Sequence, residues 1–243
     1  RSTNDPYRLY DMGAAGYIGY LTPQAYDPTI RWETTMTYNI GLDYGFFNER
    51  LSGSIDAYIR DTRDLLNSVQ VPMGSNFGNK LMTNIGSIRN KGLEFSISAI
   101  PVQKPDWSVQ VGFNGTFQDT KFTRLNPTED RNYYVETGNI SKGTGGYLCR
   151  QMVGYAPYTY YTYKQRLYPD GTPIQNSFED LDGDGTITEN DRYMTGKSAS
   201  PKFFYGMNLK VTYRNWDFGL NGHGAAGTWV FNDFASANST ASL

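Results

Sequence analysis

The residues from Asp180 to Asp191 read Asp-Leu-Asp-Gly-Asp-Gly-Thr-Ile-Thr-Glu-Asn-Asp, with carboxylates at alternate positions around glycines. Counting Asp180 as position 1 puts Asp182 and Asp184 at 3 and 5, Gly185 at 6, the Thr186 carbonyl at 7, Ile187 at 8 and Asp191 at 12. A hard divalent cation takes about six to eight oxygens at roughly 2.3 to 2.6 Å, and one loop with this spacing can supply them. The pattern predicts a calcium (Ca2+) site built from Asp180, Asp182, Asp184, Thr186 and Asp191. Aspartate at position 12 is shorter than the usual glutamate, so Asp191 is expected to bind through one oxygen or through water. No long amphipathic helix flanks the loop, which favours a structural staple over a switch. The competing reading is a solvated Asp/Gly turn that holds no metal.

A second group is aromatic: Tyr155, Tyr158, Tyr160, Tyr161 and Tyr163 crowd one short stretch. Aromatic faces suit the C–H faces of sugars, and they bring contact area at low entropic cost. The cluster is therefore either a stacking platform for a substrate or partner, or the packing that holds a long loop together. Nothing in the chain has the spacing of a hydrolase triad, a metal-hydrolase His pair, a Walker loop or a dinucleotide glycine motif. With His223 and Cys149 as the sole histidine and cysteine, a Cys/His zinc site, haem or iron–sulfur cluster lacks ligands, and no disulfide can form within the chain. No enzyme is predicted. With 22 basic against 24 acidic side chains, the chain has no electrostatic footprint for nucleic acid.

The elements that must carry these groups alternate with period 2. Trp32, Thr34, Met36, Tyr38, Ile40, Leu42, Tyr44 and Phe46 fall on one face, and Glu33, Thr35, Thr37, Asn39, Gly41, Asp43 and Gly45 on the other, a division no helix produces. After Asn48-Glu49-Arg50 the alternation resumes with Leu51, Gly53, Ile55, Ala57 and Ile59. Such a hairpin recurs twice. The expected strands are 32–46, 51–65, 85–100, 107–119, 203–213 and 216–227. Turns within hairpins are short, whereas the connections 66–84 and 120–202 are long, so all long loops fall at one end of the sheet. Outer-membrane barrels have this asymmetry, with short periplasmic turns and long extracellular loops.

Mean hydropathy is -0.57, and no apolar run is long enough for a membrane helix; a barrel strand, however, shows lipid only at every second residue. The first strand spans roughly 45 Å, or about 35 Å along the membrane normal at a tilt near 40°, whereas sandwich strands average about five or six residues. Aromatic residues at both ends, with Met36, Ile40 and Leu42 between, resemble an apolar band with girdles. The alternative is a soluble, secreted, calcium-stabilised carbohydrate-binding β-module, which would share the tyrosines and the Asp loop.

Several segments resemble the C-terminal barrel of SusC/RagA-type TonB-dependent outer-membrane transporters of Bacteroidetes-like bacteria. They are Arg31-Trp32-Glu33-Thr34-Thr35 leading into Tyr38 to Asp43, Asn48 to Ser54, Asn84 to Glu94, and the Asp-Gly-Asp-Gly loop followed by Asp191-Arg192 and Ser200-Pro201-Lys202. The Asn84 to Glu94 stretch is the strongest. The resemblance implies an all-β fold: an antiparallel up-and-down transmembrane β-barrel segment, part of a roughly 22-stranded barrel with long extracellular loops. It implies residence in the bacterial outer membrane among outer-membrane lipid, and import of glycan (oligosaccharide) or peptide. The partners it implies are a SusD-like surface lipoprotein and the TonB complex, reached through N-terminal parts. It further implies that Glu33, Asn39, Asp43, Asp56 and Arg60 line the lumen or touch the plug, while Trp32, Tyr44 and Phe46 meet lipid. Residues 1–243 carry no plug, TonB box or terminal aromatic signal, so the chain is expected to be a partial barrel domain that transports nothing by itself.

Overall fold

The computed structural model describes residues 9–11, 18–20, 25–70, 80–126, 130–140 and 146–234. Two short strands, β1 (Leu9–Asp11) and β2 (Ile18–Tyr20), pair antiparallel. The main body is a six-stranded antiparallel sheet of β3 (Thr34–Phe46), β4 (Leu51–Gln70), β5 (Lys80–Lys104), β6 (Trp107–Arg124), β13 (Phe203–Tyr213) and β14 (Trp216–Ala226). Its order, β14-β13-β6-β5-β4-β3, keeps sequence neighbours adjacent. Strands β6 and β13 are also adjacent, so the intervening chain leaves the sheet and returns to the same place.

The register aligns the alternation of every strand. Ile40, Ala57, Leu93, Phe117, Phe203 and Ala226 form one continuous row, and Phe46, Leu51, Ala99, Val111, Leu209 and Leu220 another. The opposite face has rows such as Asp43, Ser54, Ser96, Asn114, Gly206 and His223. Among the described residues no second sheet covers the apolar rows: Ile40 is 76% exposed and Leu220 54%. A soluble module must bury such a face, and this one is open. Phe95, Phe113, Phe117, Phe203 and Tyr205 instead lie edge to edge along the surface, with Phe117 and Phe203 stacked 4.2 Å apart. Gly115 makes room for them, since a Cβ there would sit 2.6 Å from the Phe95 ring.

The turns are short at one end: Phe47–Arg50, Pro105–Asp106 and Arg214–Asn215. Phe47, Asn48 and Glu49 all take positive φ to close the first. Trp107 and Tyr213 pack 4.5 Å apart beside the other two turns, next to the 78%-exposed Trp216, forming an aromatic border.

Three strands run well beyond their expected ends. Strand β4 continues to Gln70, β5 starts at Lys80 and runs through to Lys104, and β6 extends to Arg124. The extra length passes through register shifts at Arg63/Leu65, Ser87/Ile88 and Ala99/Val102, which reset the alternation and hide the strand from a strict period-2 reading. Within the expected loop 66–84, residues 71–79 lie outside the described residues. The bulge at Asp64, where φ is +59°, is held by Asn84, whose amide donates to the Asp64 and Arg31 carbonyls and accepts from the Arg31 N–H.

The expected loop 120–202 is not irregular. It contains a four-stranded sheet, β12-β9-β8-β7, made of β7 (Tyr134–Asn139), β8 (Tyr147–Met152), β9 (Thr159–Tyr163) and β12 (Arg192–Ser198). A hairpin of β10 (Gln165–Leu167) and β11 (Pro173–Phe178) projects from it.

Candidate functional site

The Asp loop connects β11 to β12 and ends in a single 3-10 turn, Glu189–Asp191. Gly183 and Gly185 have φ of +77° and +85°, conformations in which glycine carries no Cβ penalty. They turn their N–H groups onto Asp180: Gly183 donates to Oδ1 at 2.6 Å and Gly185 to Oδ2 at 2.8 Å. Asp182 accepts from the Asp184 N–H, and Asp184 from the Thr186 N–H and hydroxyl. Asp180, Asp182 and Asp184 are exposed, and each offers an oxygen within 4.8 Å of the others. Three carboxylates this close repel unless a cation sits among them, and oxygen-only donors are what calcium takes.

Asp191 is placed differently from the other three. It is fully buried, its Oδ1 accepts from the Leu181 and Asp182 N–H groups, and its Oδ2 accepts from the Thr188 N–H at 2.7 Å. The Thr188 hydroxyl accepts from the Asn190 N–H and, as the other half of a capping box, from the Asp191 main chain. These main-chain donors, that of Thr188 foremost, hold the Asp191 carboxyl below the usual carboxylate range. Asp191 thus braces the loop's main chain, while the other three aspartates face out.

A ladder of arginines and tyrosines ties this loop to its sheet. Arg192 bonds Glu189 at 2.8 Å and the Tyr161 carbonyl at 2.8 Å, and lies 4.7 Å from the Tyr161 ring. Arg150 sits between the rings of Tyr161 and Tyr134, 3.6 and 3.7 Å from their centroids, and pairs with Glu136. Tyr163 donates its hydroxyl to Glu189; burial and this neighbouring carboxylate raise its pKa, while Arg192 lowers that of Glu189.

The five tyrosines do not form one platform. Tyr161 is buried and, with Tyr163, joins the arginine ladder. Tyr160 points the other way and donates to the Trp229 carbonyl. Tyr155 contributes its main chain to the wall, accepting from the Phe122 N–H, while Tyr158 is 51% exposed. Sequence reasoning missed Arg150, Arg192, Glu136 and Glu189, because Arg150 meets Glu136, Tyr134 and Tyr161 only once β7, β8 and β9 are paired, and the Arg192–Glu189 pair meets the tyrosines only once β12 lies beside β9. Two arginines within a tyrosine-rich stretch were the available sign.

The loop sheet is fastened to the wall at β6 and β14. Gly154 N–H donates to the Phe122 carbonyl, Trp229 N–H to Ser198, and Lys197 covers the Trp229 ring. Gln118 bonds the carbonyls of Pro201 and Lys202. On the inward face of the wall, Asn39, Asp43, Asp56 and Arg60 occupy adjoining rows, while Glu33 accepts from the Leu66 N–H beside the end of β3.

Residues 2–242 match the family described as TonB dependent receptor-like, beta-barrel. The chain belongs to that family. It is 39% identical over 234 residues to the TonB-dependent receptor SusC of Bacteroides thetaiotaomicron, covering 96% of this chain and 23% of SusC. It is 31% identical over 247 residues to TonB-dependent receptor P3 of Formosa agariphila, covering 92% and 24%. Among solved structures, the RagAB peptide transporter superposes with a TM-score of 0.72 at 22% identity, over 93% of this chain and 25% of that one. The RagAB peptide importer in its open-open state gives 0.71 at 21% identity, over 95% and 25%. The chain therefore spans about a quarter of the length of the relatives it matches. The six-stranded sheet is a section of outer-membrane barrel wall, apolar face to lipid and polar face to the lumen, with the long connections on the extracellular side.

Proposed function

We propose that this chain supplies part of the wall and surface structure of a TonB-dependent importer of glycan or peptide. In this reading it works with a SusD-like surface lipoprotein and is driven by the TonB complex acting through N-terminal parts of the receptor. The observation that carries the reading is the division of the sheet into an uncovered apolar face and a continuous polar face across all its strands, in a member of the TonB-dependent receptor family. Deleting the full-length receptor should abolish growth on one oligosaccharide or peptide source, and pull-down of the tagged receptor should recover a surface lipoprotein. Unchanged uptake of every glycan and peptide after deletion would overturn the reading.

The Asp loop in this reading is a calcium staple. Asp180, Asp182, Asp184 and the Thr186 carbonyl fit the ion's oxygen preference, and Asp191 completes the loop from within. The ion would neutralise the clustered carboxylates and fix the path from β11 to β12. Chelation should speed protease cutting near Gly183, with calcium restoring protection and Asp182→Asn removing the response. Cutting that ignores chelator sinks the metal assignment and leaves the importer reading standing. Of the tyrosines, Tyr158, the exposed member, is the candidate for substrate or partner contact, while Tyr155, Tyr160, Tyr161 and Tyr163 serve to hold the loop structure together.

A further inference from the structure

Strand β7 stands at one side of the loop sheet. The order β12-β9-β8-β7 pairs it with β8 alone, and among the described residues no strand lies against its other edge. In an antiparallel ladder part of a strand's N–H and C=O groups turn away from its partner, so an uncovered edge is a template for another extended chain. Proteins blunt such edges with proline, lysine or a bulge. Tyr134-Val135-Glu136-Thr137 has none of these, and its one charge, Glu136, is tied to Arg150.

A groove of about 620 Å³ follows this edge. It is lined by the unbroken run Asn132 to Glu136, so it meets the strand's main chain between side chains of both strand faces, and by Ser68, Lys80 and Tyr147 from the ends of β4, β5 and β8. The Tyr134 ring has the Arg150 guanidinium 3.7 Å from its centroid, which fixes the ring while leaving it 43% exposed. Lys80 is exposed and has no ion pair among the described residues.

We propose that this groove holds a short extended peptide, added as a strand to the free edge of β7. The proposal rests on the importer reading and names its cargo class as peptide. Main-chain bonds to the edge would supply affinity, and the alternate side chains of the peptide would fall beside Tyr134 and Val135 on the two faces of the strand. Lys80 supplies a cation for a peptide carboxylate. A sugar would use the tyrosine rings but leave the edge amides to water, whereas an extended peptide engages both. The volume is that of a small-ligand site, about 300 to 1,000 Å³, and falls short of a protein interface, which takes roughly 20 to 30 residues a side.

The test uses the full-length receptor in detergent, with a Thr-Val-Thr-Val tetrapeptide as probe, calorimetry for affinity and hydrogen exchange for location. The peptide should slow exchange in β7, and methylating its alternate amide nitrogens should weaken binding about tenfold, because strand addition needs those donors. Tyr134→Ala should also bind about tenfold more weakly and Tyr134→Phe like wild type, while Tyr168→Ala, at the exposed tip of the β10–β11 hairpin, should change nothing. If Tyr134→Ala loosens the sheet through Arg150, the methylated peptide on wild-type receptor still decides the matter. No binding, equal binding of plain and methylated peptides, or protection outside β7 would each overturn the proposal. Protection of β7 by the neutral sugar cellotetraose and not by the peptide would overturn it as well. Growth that survives receptor deletion would sink the importer reading and leave this binding site standing, so the two fail separately.

Discussion

The wall and the loop sheet are both antiparallel, yet they are held by different forces. In the wall, large side chains such as Ile40, Leu42 and Met207 stay exposed, and cohesion comes from long ladders of main-chain hydrogen bonds plus lipid around the outer face. In the loop sheet the strands are five to seven residues long, too short to stand on ladders alone. There the cohesion is polar: arginines between tyrosine rings, a buried aspartate that gathers N–H groups, and Cys149 and Tyr161 as a small core. The same strand geometry thus answers to two solvents, hydrocarbon for one sheet and water for the other.

The contrast breaks most sharply in the middle of the apolar band. Met207→Arg places a charge among Gly53, Ile97 and Phe113 in the row facing lipid, and should cost about 3 kcal/mol of folding free energy in bilayers. Asn221→Arg on the polar face of the next strand should cost less than about 0.5 kcal/mol. Denaturant titration of the full-length receptor in lipid vesicles measures both, and equal costs would remove the distinction between the two faces.

In the loop sheet, Arg150→Met should cost about 2 kcal/mol by losing two cation–π contacts and the Glu136 pair. Hydrogen exchange should show the loss in β7, β8 and β9 while the wall strands keep their protection. Exchange that rises equally in both sheets would mean they unfold as one unit.

The smallest effect concerns Cys149. Burial pushes its thiol pKa up, so the folded state keeps its proton to higher pH than the unfolded chain does. The loop sheet should therefore lose a little stability as pH climbs past about 8.5, the ordinary thiol value. Alkylation at pH 8 should be slow in the native receptor and quicken in Arg150→Met, making this thiol a reporter on one sheet alone. Fast native labelling would contradict the packing described here.

How much could be read beforehand follows from the same contrast. The wall strands were legible because one face meets hydrocarbon and the other water, so Trp32 to Phe46 alternates almost without exception. Legibility ended at the bulges: Asp64 and the Ser87/Ile88 shift break the period, and the ends of β4, β5 and β6 disappeared into expected loops. The strands of the loop sheet left no such trace, since Tyr, Thr and Arg serve on either of its faces. The Asp loop was legible as a spacing, because Gly183 and Gly185 mark its turns. The separate position of Asp191 was not, because it depends on the main-chain donors of Leu181 and Thr188 meeting around it.

Main-chain bonds run from Phe122 directly into Gly154 and Tyr155, so the outer sheet is spliced onto a spanning strand instead of hanging from slack tethers. A tug on that crown reaches β6 through a stiff joint, and any tilt of it must pivot on the seam that Phe122 and Trp229 define.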